Sequence, residues 1–467
     1  MRRPSASVIR EPSSPDGGEP LTLPAEDLRR LGYRVVDLVV AHLEGLRDEP
    51  PIRPGERARL EALLREPPPE APGDVGAALD VLADQVLAHM QHGDHPRFFA
   101  RVPSPSNGVS ALADGLAAGF NAFAGSWAGG SGPAALELVV LDWLRELCGL
   151  APGTEGVLLS GGSVAALTAL ATARHEQPGD TAYLSDQAHA SNVRALRVLG
   201  VPHVRVLASD ERFRLTAEAV QAAITADRRS GRTPFCVLAT AGTTNTGAVD
   251  PLEALADVCA RERLWLHVDG AYGAPAALTE RGRAVLGGIE RADSLSLDPH
   301  KWLFQPYEAG CLLVRRPGAL ERTFAMAPEY LRDVLDEEVN FRDRGPQLSR
   351  GSRAAKLWLS IKAFGVAAFR AGIERGMALA ERAQAALERT PGWEVVTPAQ
   401  LAIVTFRRDG DDALNASLVE RAVADGYAAP SSTVLRGRTV LRLCTINPRT
   451  TDAEIDQTVA RLTALAT

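Results

Sequence analysis

Short β-rich segments alternate with helical segments through the middle of this 467-residue chain, and this alternation constrains the fold more than any other feature. Apolar strands that are separated by about 10 to 25 residues of helical pattern are typical of a mainly parallel sheet covered on both faces. In such sheets, ligands bind at the carboxyl ends of the strands. The predicted strands are residues 156–159, 181–184, 204–207, 235–239, 264–268, 294–297 and 310–314.

The segments on either side predict an N-terminal helical layer and a small C-terminal α+β domain. Apolar spacing predicts amphipathic helices at residues 26–47 and 75–90. Because this layer is too thin to bury the apolar faces of both helices, we expect them to pack on a second subunit. The predicted divisions are a disordered tail (1–20), an N-terminal helical segment (21–105), a large α/β domain (106–370) and a small domain (371–467). Further predicted elements are helices at 57–64, 134–148, 352–389, 413–425 and 452–465, strands at 401–406 and 439–444, and a mobile loop at 324–346.

Polar or glycine-rich motifs follow several of the predicted strands. The S-G-G-S sequence at 160–163 precedes a helix, where backbone N–H groups can bind a phosphate, although a tight turn explains it equally well. Asp269 ends an apolar strand, where an unpaired carboxylate would be costly, so it needs a cation or a hydrogen-bond donor. It could also cap the N-terminus of a following helix. His189 and the threonine-rich stretch around Thr244 also follow strands. Each motif is weak alone, but their shared position predicts one site.

Lys301, in S-L-S-L-D-P-H-K-W, follows another of these strands. Only three of the 51 basic residues are lysine, namely Lys301, Lys356 and Lys362, and the other 48 are arginine. A lysine at a strand end in such a chain indicates a need for an amine that can lose its proton, which arginine cannot supply. Schiff-base chemistry, with a carbonyl substrate or with pyridoxal phosphate (PLP), needs such an amine.

The motifs together resemble the group II PLP-dependent decarboxylases, especially the aromatic L-amino acid decarboxylases. The resemblance rests on S-G-G-S at 160–163, His189, D-G-A-Y at 269–272 and D-P-H-K-W at 298–302, and also on H-P-R-F-F-A at 95–100 and G-S-W at 125–127. It covers nearly the whole chain. It implies the α/β fold of the type I PLP-dependent enzymes, a mainly parallel seven-stranded sheet, pyridoxal 5'-phosphate as cofactor, and a homodimer with active sites at the interface.

The resemblance also implies roles for individual residues. Lys301 would hold the cofactor covalently, Asp269 would pair with its ring nitrogen, and His189 would stack on its ring. Tyr330 matches the mobile-loop tyrosine that protonates the substrate carbon after CO2 leaves. The predicted catalytic residues are therefore Lys301, Tyr330, His189 and Asp269, and the predicted cofactor-binding residues are Gly161, Gly162, Ser163, His189, Thr244, Asp269, Asp298, His300 and Lys301.

Some positions depart from the family pattern. Val164 stands where the family usually has glutamate, and Asp298 stands where several members have asparagine. Because an anionic Asp298 would repel a phosphate, we expect its backbone or a water molecule to make that contact. Arg101, Val102 and Gly125 occupy positions that are aromatic in the dopa-type members. The predicted substrate-binding residues are Arg101, Val102, Pro103, Ser104, Phe123 and Gly125.

The sequence thus predicts decarboxylation of an L-amino acid, aromatic by resemblance, to its amine and CO2. Three alternatives stay open. The first is another substrate class: an acidic amino acid, whose side chain Arg101 could bind, or a diamino acid. An aldehyde synthase uses the same scaffold, although its loop tyrosine is typically phenylalanine. A PLP-free binding protein is the third alternative, against which Lys301, Asp269 and His189 argue.

Composition excludes several other classes of protein. A net charge of −7 argues against nucleic acid or an anionic membrane as the main partner. The five cysteines lack C-x-x-C spacing, which predicts a reducing cytoplasm and no metal site. Residues 1–20 lack the apolar stretch of a signal peptide or a membrane anchor.

Overall fold

Residues 21–326 and 338–466 are described by the computed structural model, and within these ranges the strands form two sheets, of seven and of four strands. The large sheet has the order β1-β7-β6-β5-β4-β2-β3, and only β7 runs antiparallel to its neighbours. The predicted mainly parallel sheet is therefore confirmed, and each strand lies within one residue of its predicted bounds. The strands are β1 (Glu155–Leu159), β2 (Thr181–Ser185), β3 (His203–Leu207), β4 (Pro234–Thr240), β5 (Trp265–Asp269), β6 (Ser294–Leu297) and β7 (Gly310–Val314).

The helices surround both sheets. In chain order they are α1 (Ala25–Gly45), α2 (Arg57–Leu64), α3 (Val75–Val81), α4 (Gly108–Gly119), α5 (Trp127–Leu147), α6 (Gly162–Glu176), α7 (Ala190–Val198), α8 (Ala217–Arg229), α9 (Leu252–Glu262), α10 (Glu280–Val285), α11 (Pro299–Trp302), α12 (Ala319–Phe324), α13 (Ala354–Glu388), α14 (Asp412–Asp425) and α15 (Asp452–Leu465). The predicted helix at 75–90 is shorter than expected, because α3 passes into a π-helical turn at Leu82–Leu87.

The core of the molecule lies around the large sheet. Strands β2, β5, β6 and β7 are buried along their whole length, as expected for strands covered on both faces. Helix α6 packs across β1 and β4 to β7, while α8 and α9 pack on β4. This packing fixes the carboxyl ends of five parallel strands along one edge, where the predicted motifs lie.

The small sheet has the order β10-β11-β9-β8 and is antiparallel. Its strands are β8 (Trp393–Gln400), β9 (Ile403–Arg408), β10 (Ser431–Leu435) and β11 (Arg438–Cys444). The sequence predicted only β9 and β11. Helix α13 packs on α4 and α5 and on β8 and β9 of the small sheet, and it is interrupted at Gly365, whose φ is +72°. The predicted boundary at residue 370 falls inside this helix, so the division into domains stays a prediction.

Helix α1 has no buried residue, and its Leu28 and Tyr33 are 58% and 70% exposed. It does contact α4 within the chain, so its packing on a second subunit stays a prediction. Among those residues, no helix is both long and apolar enough to cross a membrane. Much of the loop predicted at 324–346, including Tyr330, lies outside the described residues.

Candidate active site

A cavity of about 670 Å³ opens at the carboxyl ends of β1, β2, β4, β5 and β6. Each strand end contributes the motif predicted for it, because parallel strands place their carboxyl ends along one edge of the sheet. The lining residues are Ser160, Gly161, Gly162, Ser163, Val164, His189, Ser191, Thr240, Gly242, Thr244, Asp269, Ala271, Tyr272, Asp298, His300, Lys301, Tyr307 and Glu308.

Lys301 lies on α11, one turn after β6 ends. Its Nζ is 2.9 Å from Oδ2 of Asp298, whose side chain is only 2% exposed. Burial alone would lower the pKa of Lys301, but the adjacent carboxylate of Asp298 outweighs burial and holds that pKa above its ordinary value. The chain thus places an amine in a buried pocket together with the group that controls its charge.

Asp269 ends β5 with both carboxylate oxygens hydrogen-bonded. Oδ2 accepts from Nδ2 of Asn192 at 2.7 Å, and Oδ1 accepts from the main-chain N–H of Ala271 at 3.1 Å. Burial would raise the pKa of Asp269, but the bond from Asn192 and the positive charge of Lys301 leave it below its ordinary value. Asp269 is therefore ionised, and it suits a cationic ring N–H.

The turn between β1 and α6 leaves room for an anion. Gly161 has a φ of +155°, and no side chain caps the start of α6. A Cβ at Gly162 would lie 2.9 Å from Oδ2 of Asp298, and a Cβ at Gly310 would lie 2.5 Å from Cα of Gly161. Glycine is thus required at Gly310, where a side chain would meet the backbone, and the space at Gly162 is tight. The N-terminus of the 15-residue helix α6 is open towards the cavity, as phosphate binding requires.

His189 is the N-cap residue of α7, and its ring lines the cavity. The main-chain N–H of Ser191 donates to Nδ1 of His189 at 3.3 Å, and Oγ of Ser191 lies 2.8 Å from the same atom. Since Nδ1 accepts these bonds, the neutral ring carries its proton on Nε2. His189 is thereby held in one orientation with one tautomer.

His300 connects this cavity with a second one. Its Nδ1 lies 2.7 Å from the carbonyl oxygen of Ala309, and its carbonyl oxygen accepts from Oγ of Ser104. Burial lowers the pKa of His300, so its ring is neutral. Ser104 lines the second cavity, of about 230 Å³, and Tyr307 lines both.

Comparison with known proteins identifies this arrangement. The sequence model of the pyridoxal-dependent decarboxylase conserved domain matches residues 59–409 of the chain. The chain belongs to the pyridoxal-dependent decarboxylase family. This decarboxylase is 46% identical to an aromatic-L-amino-acid decarboxylase of Bacillus atrophaeus, over 96% of this chain and 97% of the relative. It is 32% identical to an aromatic-L-amino-acid decarboxylase of Sus scrofa, over 90% of this chain and 92% of the relative.

Solved structures share the fold of the decarboxylase. Oryza sativa TDC, solved with PLP and tryptamine, superposes with a TM-score of 0.91 at 28% identity and covers 96% of this chain and 99% of its own. Rhodiola rosea 4-hydroxyphenylacetaldehyde synthase superposes with a TM-score of 0.89 at 26% identity, with the same coverage of both chains. The predicted family, fold class, cofactor and enzyme class are confirmed: this protein is a PLP-dependent amino acid decarboxylase.

The cavity of the decarboxylase fits PLP. Lys301 offers the amine, Asp269 offers a carboxylate for a pyridinium N–H, and the Gly161–Gly162 turn offers a surface without side chains for the phosphate. Oδ1 of Asp298 is buried and has no hydrogen-bond partner among the described residues. The main-chain N–H of Asp298 donates to Ala271 at 3.0 Å, so it is not free for the phosphate contact that we expected of it.

The structure brings most of the predicted site residues together. All of the predicted cofactor-binding residues line the larger cavity, while Arg101, Val102, Pro103 and Ser104 line the smaller one. Phe123 and Gly125 line neither cavity, and the ring of Phe123 lies against Gly125 and Gly129 of its own chain. Tyr330 lies outside the described residues. The individual roles therefore stay predictions.

Sequence reasoning missed several residues of the site. Asn192, which donates to Asp269, follows His189 by three residues and lies in the first turn of α7, so the histidine motif could have pointed to it. Tyr307 separates the two cavities, but no motif in the sequence distinguishes it from a surface aromatic. His267, buried beside Asp269, has a pKa lowered to about 4 by burial and is neutral.

Proposed function

We propose that this decarboxylase acts on an aromatic L-amino acid and releases the corresponding amine and CO2. The proposal is supported by relatives that carry this activity in their names, including those of Bacillus atrophaeus and Sus scrofa. Relatives named tyrosine decarboxylase and tryptophan decarboxylase, both from Oryza sativa, are 36% and 30% identical.

The observation that carries the aromatic assignment is the smaller cavity beside the cofactor site. Its walls include the apolar or aromatic residues Met90, Phe98, Val102, Pro103, Pro306 and Tyr307. Such a surface favours burial of an aromatic ring. Arg101 also lines this cavity, but its guanidinium already donates to Gln91, which makes it less available to an acidic side chain.

The residues of the site would divide the work as follows. The cofactor, when bound, supplies an electron sink for the charge that develops as the carboxyl group leaves. Asp269 would pair with the N–H of the cofactor ring, and Lys301 would hold the cofactor through its amine. His189 covers one ring face and presents its Nε2 proton to the cavity. Tyr330 would then donate a proton to the former α-carbon.

The proposal also includes a homodimer with active sites at the interface. Phe123 and Gly125 lie away from both cavities of their own chain. If they bind substrate as predicted, they would do so in the site of the partner subunit. The exposed apolar face of α1 offers surface for such a partner. All five cysteines are free and buried, which supports a cytoplasmic location.

The test is a substrate panel with the holoenzyme. Phenylalanine, tyrosine, dopa, tryptophan, glutamate and diaminobutyrate would each be assayed for CO2, amine, ammonia and peroxide. We expect the highest kcat/KM with an aromatic substrate, and one amine per CO2. Faster turnover of glutamate or diaminobutyrate would overturn the aromatic assignment, and ammonia with peroxide would identify an aldehyde synthase.

Two lysine variants test the role of Lys301. Lys301→Ala should abolish turnover, while Lys362→Ala, which changes an exposed lysine on α13, should leave it unchanged. A Lys301→Ala protein that decarboxylates at the wild-type rate would exclude the proposed site.

A further inference from the structure

A second group of chemically active side chains lies outside the cofactor cavity. His42, in the last turn of α1, meets His92 and Asp94, which belong to the segment that leads into the smaller cavity. Nε2 of His42 lies 3.0 Å from Oδ2 of Asp94, and the two imidazole centroids are 5.5 Å apart. One ligand atom from each of the three residues lies within 4.8 Å of the others.

The cluster is partly built into the fold. His92 is 7% exposed, and its Nδ1 is buried with no hydrogen-bond partner among the described residues. A buried imidazole nitrogen without a partner is costly, unless a ligand completes it. Nδ2 of Asn447 donates to the main-chain carbonyl of Asp94 at 2.9 Å, which holds the Asp94 backbone in place.

We propose that His42, His92 and Asp94 bind a divalent transition-metal ion of the zinc class. Two imidazoles and one carboxylate are ligands that Zn²⁺ and Co²⁺ accept, whereas Ca²⁺ and Mg²⁺ prefer oxygen ligands. Because ligand atoms lie about 2.0 to 2.2 Å from Zn²⁺, two of them are at most about 4.4 Å apart, and small side-chain rotations close the present gap. The side chain of His42 is 42% exposed, which leaves a path for the ion and room for water ligands.

The charge around the cluster permits the ion. Arg449 is a positive neighbour, but its guanidinium donates to the main-chain oxygens of Asp94 and Ser106, so the carboxylate of Asp94 stays available. Asp94 supplies the negative charge that favours a cation. Helix α1 has no buried residue. The ion would therefore link it, through His42, to the segment of His92 and Asp94 that borders the smaller cavity.

Cobalt binding to the holoenzyme tests the site directly, after removal of any affinity tag that contains histidine. Tetrahedral Co²⁺ has visible absorption bands that report nitrogen and oxygen ligands, and competition with Zn²⁺ gives the zinc affinity. The variants are His42→Ala and Asp94→Asn, the second of which keeps an acceptor for His42. The matched control is His175→Ala, which removes an exposed histidine from the last turn of α6.

We expect the wild type and His175→Ala to bind one ion per chain with equal affinity. Loss of an outer-shell partner already costs roughly 10- to 100-fold in metal affinity, so loss of a ligand should weaken binding by at least about tenfold. Hydrogen exchange in α1 should slow on addition of Zn²⁺ in the wild type but not in Asp94→Asn. Equal affinity in all four proteins, or no binding to the wild type, would overturn the proposal, and neither result depends on which amino acid is decarboxylated.

Discussion

Asp269 shows how the environment of one residue prepares it for its chemistry. The carboxylate is held by Asn192 and Ala271 and is kept ionised although it is buried. Asp269→Asn would preserve the shape but remove the charge beside the cofactor ring. We expect kcat to fall by about 100- to 1000-fold, in the range of lost electrostatic stabilisation at other active sites.

Steady-state kinetics at saturating PLP would check this expectation. Asp186→Asn, an exposed aspartate directly after β2, is the matched control and should keep wild-type kcat. An Asp269→Asn enzyme with unchanged kcat would show that ring protonation does not depend on this carboxylate.

The pair of Lys301 and Asp298 predicts a pH dependence of cofactor loading. Only the uncharged amine of Lys301 attacks the aldehyde of PLP, and Asp298 raises the pKa of that amine above its ordinary value despite burial. Below this pKa, the uncharged fraction rises about tenfold per pH unit, so the rate of covalent loading should rise with pH between about 6.5 and 9. Asp298→Asn removes the largest of the effects that raise this pKa and leaves the lowering effect of burial, so loading at neutral pH should be faster.

Stopped-flow mixing of apoenzyme with PLP would measure this rate through the yellow absorbance band. Both proteins meet the same cofactor, so the ratio of their rates isolates the contribution of the protein. Slower loading of Asp298→Asn at pH 7 would contradict the inferred role of the pair.

At the scale of elements, the large sheet could be predicted from sequence and the small one only in part. Strands β2, β5, β6 and β7 are buried along their whole length, and such continuous burial makes strands recognisable as apolar runs. The missed strand β10, S-S-T-V-L, alternates between partly buried and exposed residues on a sheet edge, and β8 contains Pro398. Each of them pairs with the strand that follows it in the chain, β8 with β9 and β10 with β11, so they were missed because their own apolar pattern is weak and not because their partners are distant.

The site is likewise predictable only in part. Lys301, Asp269 and the Gly161–Gly162 turn follow strands, so the sheet topology alone brings them together. The Tyr307 wall between the cavities and the cluster of His42 with His92 and Asp94 depend on how loops and α1 pack. No spacing in the sequence records such packing.

A buried ion pair predicts how one element supports another. Glu137 of α5 and Arg350 are 0% and 1% exposed and share two hydrogen bonds of 2.8 Å. Oε1 of Glu137 also accepts from the main-chain N–H of Leu158, in the strand that enters the phosphate turn. Glu137→Gln keeps the shape but leaves Arg350 without its counter-charge, which should lower the free energy of unfolding by about 3 to 5 kcal/mol.

Urea denaturation at one fixed protein concentration would measure that loss. The control is Glu394→Gln, because Glu394 pairs with Arg438 on the surface, where solvent screens the interaction and little change is expected. An equal loss of unfolding free energy in both variants would show that burial does not make the Glu137 pair more stabilising than an exposed pair.

For the whole molecule, the described part of the chain leaves apolar side chains exposed to solvent. On α4, Leu116 is 60% exposed, and Phe120, which ends that helix, is 80% exposed; Tyr33 of α1 is 70% exposed. Apolar surface of this extent marks an interface in soluble proteins. A second copy that covered this surface would account both for the exposed residues and for the position of Phe123 away from its own cavity.

Mixed dimers would test whether two subunits share each site. Lys301→Ala removes the amine, and Phe123→Glu places a charge at the edge that a partner would supply, so each homodimer should be inactive. In a dimer of one subunit of each kind, one site combines the intact Lys301 of one chain with the intact Phe123 of the other. Mixed dimers purified through two different tags should therefore recover about half of the wild-type activity per dimer. If each site were built from one chain alone, the mixed dimer would stay inactive, because every site would then contain one of the two changes.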